Sequence, residues 1–118
     1  MKIRITSNGA VVATATLDDN HSARDFAALL PLQLSLRDYA ATEKIADLPR
    51  ALTTAGAPAG HTPSAGDIGY YAPWGNLAIY HKDFAFSSGL VRLGRLDTGI
   101  DAMRRAGVQG VKVELAEP

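Results

Sequence analysis

The sequence predicts a mainly β protein, a closed or nearly closed barrel with a short helix plugging each end. Three observations carry this reading. Short stretches of alternating apolar and polar residues recur along the chain. Only two segments carry apolar residues at helical spacing, near each end of the chain. A Pro73-Trp74-Gly75-Asn76 break separates two β-rich arms. Closure would remove the strand edges that otherwise invite aggregation. At 118 residues the chain is expected to form one domain, 1–118, with a core of useful size.

Ile3 and Ile5, then Val11, Ala13, Ala15 and Leu17, alternate with other residues around Ser7-Asn8-Gly9-Ala10. Asn-Gly supplies the positive-φ positions of a two-residue turn, so 2–7 and 10–17 form a hairpin. Asp18-Asp19-Asn20 offers N-cap acceptors. The spacing of Ala23, Phe26, Ala27, Leu29 and Leu30 predicts a helix over 21–30, stopped by Pro31. Leu32, Leu34 and Leu36 give a strand at 32–38 leading to Tyr39. Residues 40–52 read as an irregular or briefly helical connection. The Thr, Ala, Gly, Pro, Ser and His of 53–66 read as a loop and as the one lid candidate. Strands follow at about 67–72 and 76–81. A loop at 83–89 exposes Phe84 and Phe86, and a further strand covers 90–96. Asp97 or Thr98 is expected to cap a helix over 98–105, with Gly107 stopping it. Val108, Val111, Val113 and Leu115 make the last strand.

Lys plus Arg and Asp plus Glu balance at 12 each, which argues against nucleic-acid binding, because phosphates require a basic surface. The absence of cysteine excludes disulfides, thiolate catalysis and Cys-based zinc sites. The opening Lys2-Ile3-Arg4-Ile5 lacks the apolar run of a signal peptide, and no apolar stretch is long enough to span a bilayer. A cytoplasmic location and no membrane partner are therefore expected. His21, His61 and His81 lack metal-ligand spacing, and no glycine-rich loop opens a helix, so no metal or cofactor is expected.

The candidate site gathers around the break. Trp74 offers area and one donor to a ligand, or packs at a barrel rim. Asn76 fixes a ligand amide, or satisfies the turn backbone. Tyr39, Tyr71 and Tyr80 are more often core or rim residues than catalytic ones. Pro73 cannot donate to a ladder, so the strands part beside it. Glu43 sits in an apolar stretch where burial would raise its pKa and suit it to acid–base work. The favoured reading for Glu43 is the plainer one, a salt bridge to Lys44, Arg37 or Arg50.

Several segments resemble the cyclophilins. Ser22-Ala23-Arg24-Asp25-Phe26-Ala27-Ala28-Leu29 is similar to their first helix. Gly75-Asn76-Leu77-Ala78 resembles one of their strands, and Leu90–Ile100 (numbers 90–100) resembles the segment before their second helix. A closer resemblance is to a bacterial and archaeal branch of short cyclophilin-like proteins of unassigned function. It is carried by Tyr39, Thr42-Glu43-Lys44-Ile45, Gly56-Ala57-Pro58, Gly66-Asp67-Ile68, Tyr71-Ala72-Pro73-Trp74-Gly75-Asn76 and Leu93-Gly94-Arg95. That resemblance implies a small closed eight-stranded barrel with two short capping helices. The chain departs from cyclophilin isomerases in lacking their Phe-His-Arg segment, and neither Gln33 nor Gln109 lies in their glutamine motifs. Arg37 is the nearest basic residue after the first helix and the one arginine to consider for an isomerase role.

The function expected is a binding domain. Its groove would be lined by Tyr39, Tyr71, Pro73, Trp74 and Tyr80, with Asn76 and Glu43 as polar contacts. The partner would be an extended peptide or a small molecule, and the oligomeric state is left open. The alternatives are a divergent peptidyl-prolyl cis-trans isomerase and a small-molecule enzyme using Glu43 as acid or base.

Overall fold

Asn8 and Gly9, both at positive φ (51° and 80°), turn β1 (Lys2–Ser7) back onto β2 (Ala10–Leu17). This is the backbone that a tight hairpin turn demands. The structure, a computed structural model, describes residues 1–116. After β2 come α1 (His21–Ala27), β3 (Leu32–Tyr39), β4 (Glu43–Asp47), β5 (Gly60–His61) and β6 (Asp67–Tyr71). Then follow β7 (Asn76–Tyr80), β8 (Ser87–Ser88), β9 (Leu90–Thr98), α2 (Ile100–Arg104) and β10 (Gln109–Leu115). Eight strands close into an antiparallel barrel in the order β1-β10-β3-β4-β7-β6-β9-β2, while β5 and β8 pair separately.

The barrel interior is filled by the inward positions of each strand. Ile3, Ile5, Leu36, Ile68, Leu77, Ile79 and Leu93 are all buried in one cluster. Phe26 of α1 and Met103 of α2 join it. The helices enter from opposite ends. β2 and β9 are antiparallel neighbours, α1 follows β2, and α2 follows β9, so each helix begins where the other's strand starts. Asn20 caps α1, its side chain accepting the Ala23 amide at 2.8 Å.

Four boundaries differ from the sequence expectation. Residues 40–52 contain a barrel strand, β4, rather than an irregular or helical connection. Glu43, Lys44, Ile45 and Ala46 are buried in succession, so no polar face reveals the strand period; sheet context overrides a helix-favouring composition. The loop at 53–66 contributes the short β5, which pairs with β8 from the expected loop at 83–89. Helix α1 ends at Ala27 rather than residue 30, its exit tightened by Leu29 and Leu30 amides donating to Phe26 and Ala27 carbonyls. Neither Asp97 nor Thr98 caps α2. Both lie on β9, where Asp97 accepts from Lys2 and Thr16 and Thr98 bonds Thr14. The cap is Gly99 at φ 93°, where a Cβ would also collide with the Val12 carbonyl.

Candidate functional site

One part of the barrel wall is buried on both sides. On β4 and β7 the inward residues are Lys44, Ala46, Leu77 and Ile79. The residues between them, Ile45, Ala78 and Tyr80, point outward and form a second apolar cluster with Leu90, against which Tyr71 packs. Gly69 keeps this outer layer close, because a Cβ there would press to 2.8 Å on Leu90. Above the cluster lies a cavity of about 260 Å³.

Strand register decides what lines it. Tyr39, Glu43 and Tyr80 are cross-strand neighbours on β3, β4 and β7. Asp47, Asn76 and Tyr71 form a second row across β4, β7 and β6. The β6–β7 connection turns at Gly75 (φ 69°), with the Trp74 and Gly75 amides donating to the Tyr71 carbonyl at 3.2 and 2.9 Å. Trp74 is thereby folded over the outer wall. Its ring stands nearly perpendicular to Tyr39 (5.5 Å, 85°) and Tyr71 (5.4 Å, 83°), the edge-to-face geometry aromatic pairs prefer.

Six of the seven sequence-derived residues therefore meet in one place: Tyr39, Glu43, Tyr71, Trp74, Asn76 and Tyr80 all line the cavity. Pro73 does not; its ring packs beneath Gly89, where a Cβ would approach Pro73 Cδ to 2.8 Å. Arg37 lies on the same outer face of β3, opposite Ile45, but it too is outside the lining. Its guanidinium meets Asp47 at 3.4 Å. Ala40, Ile45, Phe84 and Ser87 complete the wall and were not singled out from sequence. Phe84 had one signal, an aromatic ring in a polar loop. The 53–66 segment does not reach this cavity; 83–89 does.

Trp74 is 59% exposed, so it closes the cavity from the solvent side rather than filling a core. Glu43 and Asn76 form the polar floor, at 6% and 3% exposure. The salt bridge favoured for Glu43 does not form. Lys44 points inward to Asp38 at 2.6 Å, Arg37 is taken by Asp47, and Arg50 by Asp25 at 2.8 Å. Alternation on β4 is the cause: adjacent residues face opposite sides of the wall. Without a cation beside it, burial pushes the Glu43 carboxyl above its ordinary pKa, against hydrogen bonds from Tyr80 and Thr42 that lower it. Burial, reinforced by the Glu43 charge, pushes the Tyr80 phenol up strongly. The two groups thus share a proton-rich corner.

Asn76 donates its amide nitrogen to the Leu77 carbonyl at 3.1 Å, while its Oδ1 is buried with no partner. An unpaired buried acceptor costs about 1–3 kcal/mol, and a ligand donor would recover it. The β3–β4 turn adds strain at the mouth. Ala40 and Ala41 sit at φ 53° and 56°, a left-handed backbone that costs a β-carbon residue about 1–2 kcal/mol. That turn is what sets Tyr39 opposite Glu43.

A second, larger cavity of about 510 Å³ lies beside α1, lined by His21, Arg24, Gly56, His61 and Arg92 among others. Three of its basic side chains sit beside carboxylates of the protein, although the buried Arg92 Nε makes no hydrogen bond. Arg24 meets Asp19, Arg92 meets Asp18 at 3.1 Å, and His61 meets the buried Asp67 at 2.9 Å. No local pattern marks the His61–Asp67 pair, which the β5–β8 pairing and the loop into β6 bring together. Among the described residues, no group of three or more His, Asp or Glu is placed to hold a metal ion. Nor is any helix among them long and apolar enough to cross a membrane.

A family model described as the Cyclophilin-like family matches residues 5–115. Among solved structures, the chain is similar to a hypothetical protein from Archaeoglobus fulgidus determined in solution. The TM-score is 0.73 at 18% identity, over 98% of this chain and 95% of that one. At that identity the likeness is one of fold. No curated protein matches the chain.

Proposed function

We propose, from the premise that the chain belongs to the cyclophilin-like family, that it is a binding domain whose outer-wall cavity takes a small molecule or part of an extended peptide. The observation that supports this most directly is the free Asn76 Oδ1 on the floor of a cavity walled by aromatic rings. Buried polar atoms are ordinarily satisfied. Ligand sites combine apolar and aromatic walls with a few placed polar groups, and this cavity has that composition. Its volume, about 260 Å³, lies just below the usual range for drug-sized ligand sites and suits a fragment-sized group. The absence of cysteine fits a reducing cytoplasm as its place of work.

The test is a nuclear magnetic resonance screen of small fragments and X-Pro peptides against the full chain. Binding in the groove shifts the Trp74 indole and Asn76 side-chain amide signals, and Trp74→Ala abolishes the effect. A screen in which every hit perturbs other regions and leaves those two signals still overturns the reading.

One observation favours a second reading, a small-molecule enzyme. Glu43 is a buried carboxyl raised by desolvation and hydrogen-bonded by Tyr80, the environment of a general acid or base. Such an enzyme would lose turnover in Glu43→Gln while retaining binding of its substrate. For the isomerase alternative, the Arg37 guanidinium is engaged by Asp47 outside the cavity. We expect no appreciable acceleration of X-Pro isomerisation in an exchange assay; a rate comparable to true cyclophilins, lost in Arg37→Ala, would reverse that ranking.

A further inference from the structure

Both polar side chains on the cavity floor present acceptors. Asn76 uses its nitrogen on the Leu77 carbonyl and leaves Oδ1 free. Glu43 brings a carboxyl group without an ion-pair partner among the described residues. No lysine, arginine or histidine lines the cavity. Around this floor the Trp74 ring stands near right angles to Tyr39 and Tyr71, at 5.5 and 5.4 Å. Ring faces are electrostatically negative, and rings set as adjoining walls attract a cation, more strongly once it is desolvated. An anion would meet a buried carboxylate with no cation beside it. A neutral occupant would leave that carboxylate without an ion-pair partner.

We infer that the outer-wall cavity takes an organic ammonium group, held among Trp74, Tyr39 and Tyr71 with its N–H donors directed to Asn76 Oδ1 and the Glu43 carboxylate. The inference rests on the binding reading above and names the chemistry of its ligand. A free amine and a lysine side chain of an extended peptide share this group.

Ammonium binding should strengthen with pH. Tyr39 from β3, Tyr80 from β7 and Tyr71 from β6 are the titratable groups that face Glu43 across the cavity. Lys44 lies in the alternate position of β4, beside Asp38, and His81 lies just past the end of β7, beside Arg104. The Arg37–Asp47 pair further along the same face is self-neutralised. Because burial raises Glu43, the carboxylate that attracts the ligand forms only as pH climbs through that raised value. Binding then expels the proton.

The experiment titrates the full chain with benzylammonium, benzyl alcohol and benzoate, following the Trp74 indole signal. Benzylammonium should bind at least ~10-fold more tightly than benzyl alcohol, as expected for charge-assisted hydrogen bonds, with benzoate weakest. Lowering the pH toward the ordinary carboxylate range should erase the preference, and Glu43→Gln should abolish it. If that variant does not fold, the pH series on the native protein decides, and a flat profile overturns the inference. A lysine-centred blocked tripeptide and its norleucine counterpart distinguish the sources. Tighter binding of the lysine peptide than of benzylammonium assigns the ligand to a peptide, and the reverse assigns it to a free amine. Benzyl alcohol or benzoate matching benzylammonium overturns the ammonium inference but leaves a groove. Silence from all three aromatic probes also overturns it, and the groove reading falls with it only if the broader fragment and peptide screen is silent too.

Discussion

The two faces of the β4–β7 pair are built from the same ten residues and differ in one respect. Inside the barrel, Ala46, Leu77 and Ile79 are buried in a cluster drawn from all eight barrel strands and both helices. Outside, Ile45, Ala78 and Tyr80 are equally buried, but the rows flanking them hold Glu43 and Asn76, whose polar groups are incompletely answered. The inner face is finished by the chain itself. The outer face is apolar enough to be stable, yet it keeps a buried acceptor and a desolvated carboxyl. That difference separates the residues that hold the fold from those available for recognition.

The largest expected effect comes from breaking the inner face. Ile79 is fully buried in the main cluster, so Ile79→Ala should cost about 2–5 kcal/mol in urea unfolding. The Trp74 signals of the folded fraction should stay in place. A loss below about 1 kcal/mol would mean that the inner layer is loosely packed and that the contrast between faces is false.

Trp74→Ala sharpens the comparison from the other side. The indole is mostly exposed and contacts two rings, so its loss should cost stability about 1–2 kcal/mol. Ligand binding should fall about tenfold or more, because the ring closes the cavity. A large drop in urea midpoint, near the ~3–5 kcal/mol of a core aromatic, would make Trp74 part of the scaffold.

A smaller change of opposite sign is expected at the mouth. Ala41→Gly relieves a left-handed backbone at φ 56° and should stabilise by up to about 1 kcal/mol, offset in part by the added freedom of the unfolded chain. If strain at this turn helps set Tyr39 against Glu43, the same variant should weaken binding while it stabilises. Equal or tighter binding would remove any role for the turn in preorganising the site.

These two hairpins also show how much of the molecule was legible in the sequence. Asn8-Gly9 announces its positive-φ turn, and the β1–β2 pair was read with its observed boundaries. Ala40 and Ala41 adopt a similar backbone with residues that do not favour it, so the turn and the strand after it were missed. Its apolar setting makes Glu43 a candidate in the sequence, with its neighbours as the expected partners; only the strand period sends Lys44 to the opposite side. The Trp74 and Asn76 cluster was legible because both flank a break in chain direction. Phe84 and Ser87 come from a segment far along the chain, brought over the wall by the β5–β8 pairing, and nothing local encodes that.

The subtlest test lies in the pH dependence of stability, where the outer face should reveal its unfinished carboxyl. In the unfolded chain Glu43 titrates near its ordinary value of about 4.3; in the fold, burial raises it. A raised folded value means that the folded state binds the proton more tightly. Its contribution is therefore fully present below the unfolded value and is lost as pH rises through the folded one. Glu43→Gln keeps the shape and cannot ionise. At low pH the variant should match the parent in urea midpoint. Above the folded value it should be the more stable of the two, because the parent then carries a buried charge that no cation among the described residues offsets. Benzylammonium should narrow that gap, because it binds the parent more tightly and therefore stabilises it more, by mass action on the folded state. If Glu43→Gln instead loses stability at neutral pH, the carboxylate has a partner that stabilises it. The outer face would then be as complete as the inner one, and the contrast on which the binding reading depends would be gone.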